Sequence, residues 1–251
     1  MNDILTAKDL CKTFSNESVQ QHVLKNLNLS IKEGDFTVIM GNSGSGKSTL
    51  LYALSGMDRP TLGSISYHGE EISEYSNDKL AVFRRKHCGF VFQQNYLNDS
   101  MSVLDNVMVC GLLMSKDRVK LAKKAKELLL QVGLSEQTFH KFPTQLSGGE
   151  QQRVAVVRGI INEPEILFAD EPTGALNSQN TENVLNVFTQ LNQNGQSIVM
   201  VTHDMRSARR ANRILYLKDG VILGELNLGV YQSGDRERHE KLRHFLEEMG
   251  W

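Results

Sequence analysis

The chain has 251 residues, of which 28 are Lys or Arg and 29 are Asp or Glu, for a formal net charge of −1 at pH 7. That length accommodates one large domain or a core with a smaller appendage, and the balanced charge supplies no global basic field, so no nucleic-acid partner is expected. The three cysteines, Cys11, Cys88 and Cys110, are scattered and lack any paired short spacing; they point to neither a disulfide framework nor a zinc site and read as reduced thiols.

In chain order, residues 1–5 carry no basic region followed by an apolar core, and no signal peptide is expected. Residues 5–31 read as short strands around a polar loop, an antiparallel β region beside the main sheet. The apolar run Phe36-Thr37-Val38-Ile39-Met40 then leads into Gly41-Asn42-Ser43-Gly44-Ser45-Gly46-Lys47-Ser48-Thr49, and Leu50-Leu51-Tyr52-Ala53-Leu54 follows as a helix. Strand, glycine loop and helix start in that order match the phosphate-binding pattern G-x-x-x-x-G-K-[ST]. Glycines let backbone N–H groups turn onto anionic oxygens, and the helix adds the positive end of its dipole. Lys47 reaches outer phosphates as a mobile point charge, and the Ser48 hydroxyl suits a magnesium shell.

Residues 89–92 form another β-type run, and from Gln94 to Glu163 the texture becomes helical. The most apolar stretch, residues 103–114, is broken by Asp105 and Asn106 and falls far short of the ~20 residues of a membrane span. Val119, Ala122, Ala125, Leu128, Leu129 and Val132 recur at three- and four-residue steps, with Lys120, Lys123, Lys124 and Lys126 on a solvated side and Gly133 as the stop. Leu146-Ser147-Gly148-Gly149-Glu150 precedes a further helix; Ser147 suits its cap, and the glycines leave N–H groups open to an anion.

After Glu163-Pro164, the strand Ile166-Leu167-Phe168-Ala169 ends in Asp170-Glu171. Carboxylates at that end of a parallel strand face the ligand crevice of an α/β sheet. Asp170 suits the magnesium shell, and Glu171 suits polarising the water that attacks a terminal phosphate. Residues 197–202 form a strand followed by His203, and Asp219-Gly220 between apolar runs signals a hairpin. In the tail, Leu242, Phe245, Leu246 and Met249 share one helical face, with Arg236, Glu237, Arg238, Glu240, Lys241 and Arg243 around it, so packing on the core is expected. Strands alternating with helices argue for an α/β fold with a largely parallel sheet.

The order of glycine loop, Leu-Ser-Gly-Gly-Glu string and acidic strand resembles the ATP-binding-cassette ATPases over residues 5–226. The resemblance implies a P-loop NTPase core (residues 1–93 and 164–226) with a parallel sheet and a flanking antiparallel β region. It also implies an inserted α-helical signature subdomain (94–163), before a C-terminal helical tail (227–251). By the same resemblance Phe14 stacks on the adenine of ATP, Gln93 contacts Mg2+ and the attacking water, and His203 touches the terminal phosphate. Ser147, Gly148, Gly149 and Glu150 would complete the nucleotide site of a partner subunit, so a homodimer is the economical expectation. The family's cytoplasmic cassettes dock on integral-membrane permease subunits, which places this chain at the cytoplasmic face of a membrane.

The strings Phe90-Val91-Phe92-Gln93-Gln94, Val103-Leu104-Asp105-Asn106-Val107 and Ala169-Asp170-Glu171-Pro172-Thr173-Gly174-Ala175-Leu176 are similar to the lipoprotein-release and macrolide-exporter branch. They most resemble its bacitracin-efflux members, which handle antimicrobial peptides. An importer ATPase is the nearer alternative; a soluble cassette acting on nucleic acid or ribosomes is the more distant one. One position departs from the family, which commonly has aspartate where this chain has Asn177, a residue implied in coupling the two ATP sites. Asn177→Asp is expected to change turnover or cooperativity in ATPase assays and to leave ATP affinity unchanged; a large drop in affinity would refute this.

Overall fold

The computed structural model describes residues 2–16 and 19–251. Strand β1 (Asp3–Asn16) and the equally long β2 (Val19–Lys32) pair antiparallel, and β3 (Phe36–Met40) then leads into helix α1 (Lys47–Leu54). Next come β4 (Leu62–Tyr67), the short β5 (Glu70–Glu71), α2 (Asn77–His87) and β6 (Cys88–Phe92). Helices α3 (Val103–Gly111), α4 (Arg118–Gln131) and α5 (Gly148–Ile160) precede β7 (Ile166–Asp170), α6 (Ser178–Gln193), β8 (Ser197–Val201) and α7 (Met205–Ala208). The chain closes with β9 (Arg213–Lys218), β10 (Val221–Asn227) and α8 (Arg236–Glu248).

Two sheets result, one antiparallel in the order β2-β1-β4-β5 and one in the order β10-β9-β3-β8-β7-β6. In the second, β9, β3, β8, β7 and β6 run parallel and β10 pairs antiparallel at the edge. Asp219 (φ 50°) and Gly220 (φ 83°) make the β9–β10 turn, the positive-φ pair that a two-residue hairpin needs. Every residue of β3 and β8 is buried, which is why both read as largely apolar runs without alternation: the sheet is covered on both faces. Side chains alternate between those faces. Val38 and Met40 join a core with α3 to α6 and α8, whereas Ile39 joins the core beneath α1 and the antiparallel sheet.

Three local expectations are corrected. The early β region is not a set of short strands: β1 and β2 are 14 residues each, and β4 and β5 extend their sheet. Asp9 (φ 50°) lies at one register shift of the β1–β2 ladder and Asn26 (φ 52°) at the next; such polar residues absorb a bulge in the left-handed region and mimic a loop in the sequence. On α4 the buried stripe is Leu121, Ala125 and Leu129, continued by Val132, while Val119 is 83% exposed. The helix is capped by Asp117, so Val119 lies in its first turn, ahead of the packed face.

Helix α8 packs as expected, with Leu242, Phe245 and Leu246 buried in the core, each contributing about 1.5–3 kcal/mol. The third correction is Arg238, which does not sit on the charged surface of the helix. It is 2% exposed, and its guanidinium donates to the carbonyls of Arg209 (2.7 Å), Leu228 (3.0 Å), Gly229 (2.9 Å), Val230 (3.4 Å) and Ala211. A buried cation is tolerated because each N–H meets a carbonyl dipole. Arg238→Met is expected to lower the unfolding free energy by about 3 kcal/mol, measured by urea denaturation, because it strands those carbonyls without a donor.

Candidate active site

The glycine loop emerges from β3 in a tight place. A Cβ on Gly41 would lie 2.1 Å from the Leu217 carbonyl, and one on Gly46 (φ 101°) would press on Val23 of β2 at 3.1 Å. Only glycine fits at either end, so the loop is squeezed between the sheet and the β1–β2 hairpin. Asn42, Ser43 and Gly44 are exposed; Ser45 is buried, with an Oγ that has no hydrogen-bond partner among the described residues. Lys47 is 8% exposed, and its Nζ donates to the carbonyls of Gly41 and Asn42, both at 2.9 Å. Burial pushes its amine below the usual range, opposed by the carboxylates of Glu171 and Asp170. An incoming phosphate therefore exchanges neutral carbonyl partners for charged oxygens, at the start of a helix whose first N–H groups face the loop.

Beside the loop stands the carboxyl end of β7. Asp170 accepts from Ser48 Oγ on Oδ1 (2.9 Å) and from the Tyr52 hydroxyl on Oδ2 (2.7 Å). Ser48 and Tyr52 are one turn apart on α1, so a single helix face presents both hydroxyls. Glu171 follows with φ 45°, a left-handed backbone that is costly for a residue with a Cβ. Its carboxylate accepts from Thr202 Oγ1 (3.0 Å) and pairs with His203 Nδ1 (2.8 Å). Glu171 is 17% exposed and His203 68%. Gln93, at the end of β6, lies against Gly174: a Cβ there would come within 2.9 Å of Gln93 Nε2. The structure thus brings Lys47, Ser48, Gln93, Asp170, Glu171 and His203 together.

Phe14 stands on β1, 45% exposed, with Lys12 Nζ 4.9 Å over its ring, on the hairpin that runs past Gly46. The Leu-Ser-Gly-Gly-Glu string lies elsewhere. Ser147 Oγ accepts from Glu150 N (3.3 Å), while the Glu150 carboxylate accepts from Ser147 N and Oγ (both 2.8 Å), a capping box that starts α5 at Gly148. The backbone N–H of Ser147 is the chief cause that holds the Glu150 carboxyl below its usual range. Gly149 packs on Asn180 of α6, whose own cap is Asn177 Oδ1 accepting from Asn180 N at 2.9 Å. Helix α5 packs mainly on α3, α4, α6 and β6, and α1 on β1, β2, β7 and β8. Among the described residues no hydrogen bond joins 147–150 to 41–49.

Sequence reasoning missed Tyr52, Thr202 and a support beneath His203. Asp204 Oδ2 accepts from Ser207 N and Oγ, and Ser207 Oγ contacts Thr173 Oγ1 at 3.1 Å. The four-residue step from Ser48 to Tyr52 and the three-residue step from Asp204 to Ser207 were the available signals; Thr202 and Thr173 meet their partners only through the tertiary fold. Ser48 Oγ and Asp170 Oδ1, one hydroxyl and one carboxylate, are the hard oxygen donors that suit a magnesium ion completed by phosphates and water.

A parallel sheet with a glycine loop after one strand and an acidic end on another defines a P-loop nucleoside triphosphatase. The family model for ABC transporters matches residues 24–174. The chain belongs to that family and is an ATPase. It is 44% identical over 227 residues to the lipoprotein-releasing system ATP-binding protein LolD of Aquifex aeolicus, covering 90% of this chain and 99% of the relative. It is also 44% identical over 214 residues to the macrolide export ATP-binding/permease protein MacB of a Shewanella strain, but spans only 32% of that longer protein. Among solved structures, the dimeric ATP-binding cassette MJ0796 in a post-hydrolysis state with ADP and Pi aligns with a TM-score of 0.83. It is 39% identical, and the alignment covers 90% of this chain and all of that one. Lys47→Met is expected to weaken ATP binding by about tenfold or more in calorimetry, from loss of charge-assisted contacts to phosphate.

Proposed function

We propose that the chain is the ATP-hydrolysing subunit of a membrane transporter of the lipoprotein-release and macrolide-exporter kind, closest in type to antimicrobial-peptide efflux. ATP lies on Gly41, Asn42, Ser43, Gly44, Ser45, Gly46, Lys47, Ser48 and Thr49, with adenine against Phe14. Ser48, Asp170 and Gln93 hold Mg2+, which supplies charge neutralisation on the phosphates. Glu171 orients and deprotonates the attacking water, and His203 contacts the terminal phosphate. Thr202 and His203 each engage one Glu171 oxygen, and contact with the terminal phosphate would have His203 exchange Glu171 for it.

The observation that carries the reading is the segregation of the two glycine motifs. The capped start of α5, with Ser147, Gly148, Gly149 and Glu150, packs apart from the loop before α1. Each copy then has half of a site, completed by the other in a head-to-tail homodimer, and the dimeric form of MJ0796 supports this. A membrane partner is supported by exposed apolar side chains around the end of α3: Val109, Leu112, Leu113 and Met114, 38–59% exposed, with Tyr96 at 65%. Arg158 ties Tyr96 to this side of α5 through its carbonyl at 2.7 Å. No helix among the described residues is long and apolar enough to cross a membrane; attachment to the cytoplasmic face would run through a permease docked on this patch.

Glu171→Gln is expected to stop hydrolysis and accumulate an ATP-bound dimer on size exclusion. Isolated from membranes in ATP, it should bring down an integral-membrane protein with a large extracellular region. Near-normal turnover would refute the role of Glu171, and a permease that depends on a substrate-binding protein would establish an importer instead.

A further inference from the structure

We infer that Tyr52 is a positioning residue for the metal site, fixing the carboxylate plane of Asp170 so that one oxygen serves the cation. This rests on the reading of Ser48 and Asp170 as Mg2+ ligands. Asp170 ends a strand, and its side chain is free to rotate unless something holds it. Ser48 Oγ takes Oδ1 at 2.9 Å and the Tyr52 hydroxyl takes Oδ2 at 2.7 Å. The two restraints act on different oxygens. Ser48 is itself a ligand in this reading, and its hydroxyl retains lone pairs for the cation while it donates to Oδ1. The phenol is not a metal ligand in this arrangement and holds the other oxygen, Oδ2, independently of Ser48.

Tyr52 is built for that role. Its ring is half-buried on α1, and its hydroxyl reaches Asp170 Oδ2 at 2.7 Å. The other bonds at this residue, from Ser55 Oγ and the N–H groups of Met57 and Asp58, go to its backbone carbonyl, so they are indifferent to the side chain. With Oδ2 taken, Asp170 offers the cation a single oriented oxygen, directly or through a coordinated water, in place of a bidentate grip. That suits the near-octahedral shell of Mg2+ better than the looser shells of larger ions.

Tyr52→Phe removes one oxygen and keeps the ring. Binding of a non-hydrolysable ATP analogue is measured by calorimetry on the full chain, in EDTA and in saturating MgCl2, with the Mg2+ half-saturation of ATPase activity alongside. Affinity in EDTA is expected to be unchanged, the gain on adding Mg2+ to shrink by about three- to tenfold, and the half-saturation to rise by a similar factor, the size of one charge-assisted hydrogen bond. In an Asp170→Asn background the same substitution should add no further loss of the Mg2+ gain. Equal Mg2+ gains in the parent and Tyr52→Phe proteins would overturn the proposal. So would an equal loss with and without Mg2+, which marks a general packing defect. If the parent protein binds and hydrolyses ATP equally well in EDTA, the metal assignment itself falls, and this proposal with it.

Discussion

The parallel register of the central sheet holds the site together. Phe92 of β6 stands level with Asp170 of β7, Asp170 with Val201 of β8, and Val201 with Ile39 of β3. The residues just beyond that line are Gln93, Glu171, Thr202 with His203, and, one residue past Met40, the glycine loop. None of these segments is near another in the chain. They become neighbours because parallel strands stop together and release their chain ends on one side, where ligands of α/β sheets bind. A slip of one residue in any of these strands would turn its buried side chains to the opposite face, and strands as completely buried as β3 and β8 have no tolerance for that.

On this platform each charged group has partners within the chain. Lys47 is satisfied by loop carbonyls, Asp170 by two hydroxyls, and Glu171 by Thr202 and His203. Each of these bonds meets the requirement that a buried polar group be paired, and each can be exchanged for a bond to phosphate, metal or water. The left-handed backbone at Glu171 belongs to the same design: the turn that aims its carboxylate along the crevice is one that a Cβ resists, and it is held by Glu171 N bonding to the Val201 carbonyl at 3.0 Å.

Most of the candidate site was legible because its motifs are written in short local spacings. The loop from Gly41 to Thr49, the acidic strand end and the Ser147 cap each depend on residues within a single turn or strand. What escaped depends on tertiary approach. Thr202 is an ordinary strand-end threonine until β7 lies beside β8, and Tyr52 resembles any half-buried helix aromatic until Asp170 is placed across from it. Arg238 has the surroundings of a surface charge; only the convergence of carbonyls from residues 209–211 and 228–230 makes its burial possible. On α4 the apolar period was visible but its phase was not, since Val119 and Leu121 carry equal hydrophobic weight and only the packing of α3 and α5 chooses between them. The bulges at Asp9 and Asn26 escaped because a bulge and a turn call for the same left-handed residues.

The capping box at the start of α5 has a consequence for association. Glu150 and Ser147 bind each other, and Gly149 rests on Asn180, so this short segment is rigid in the isolated chain. A surface that is ordered in advance loses little conformational freedom when a second molecule settles on it, and the entropy of fixing it is charged to folding instead of to encounter. In the proposed head-to-tail dimer this segment would therefore need little beyond alignment, and the reversibility of closure would fall to the nucleotide and its changing charge.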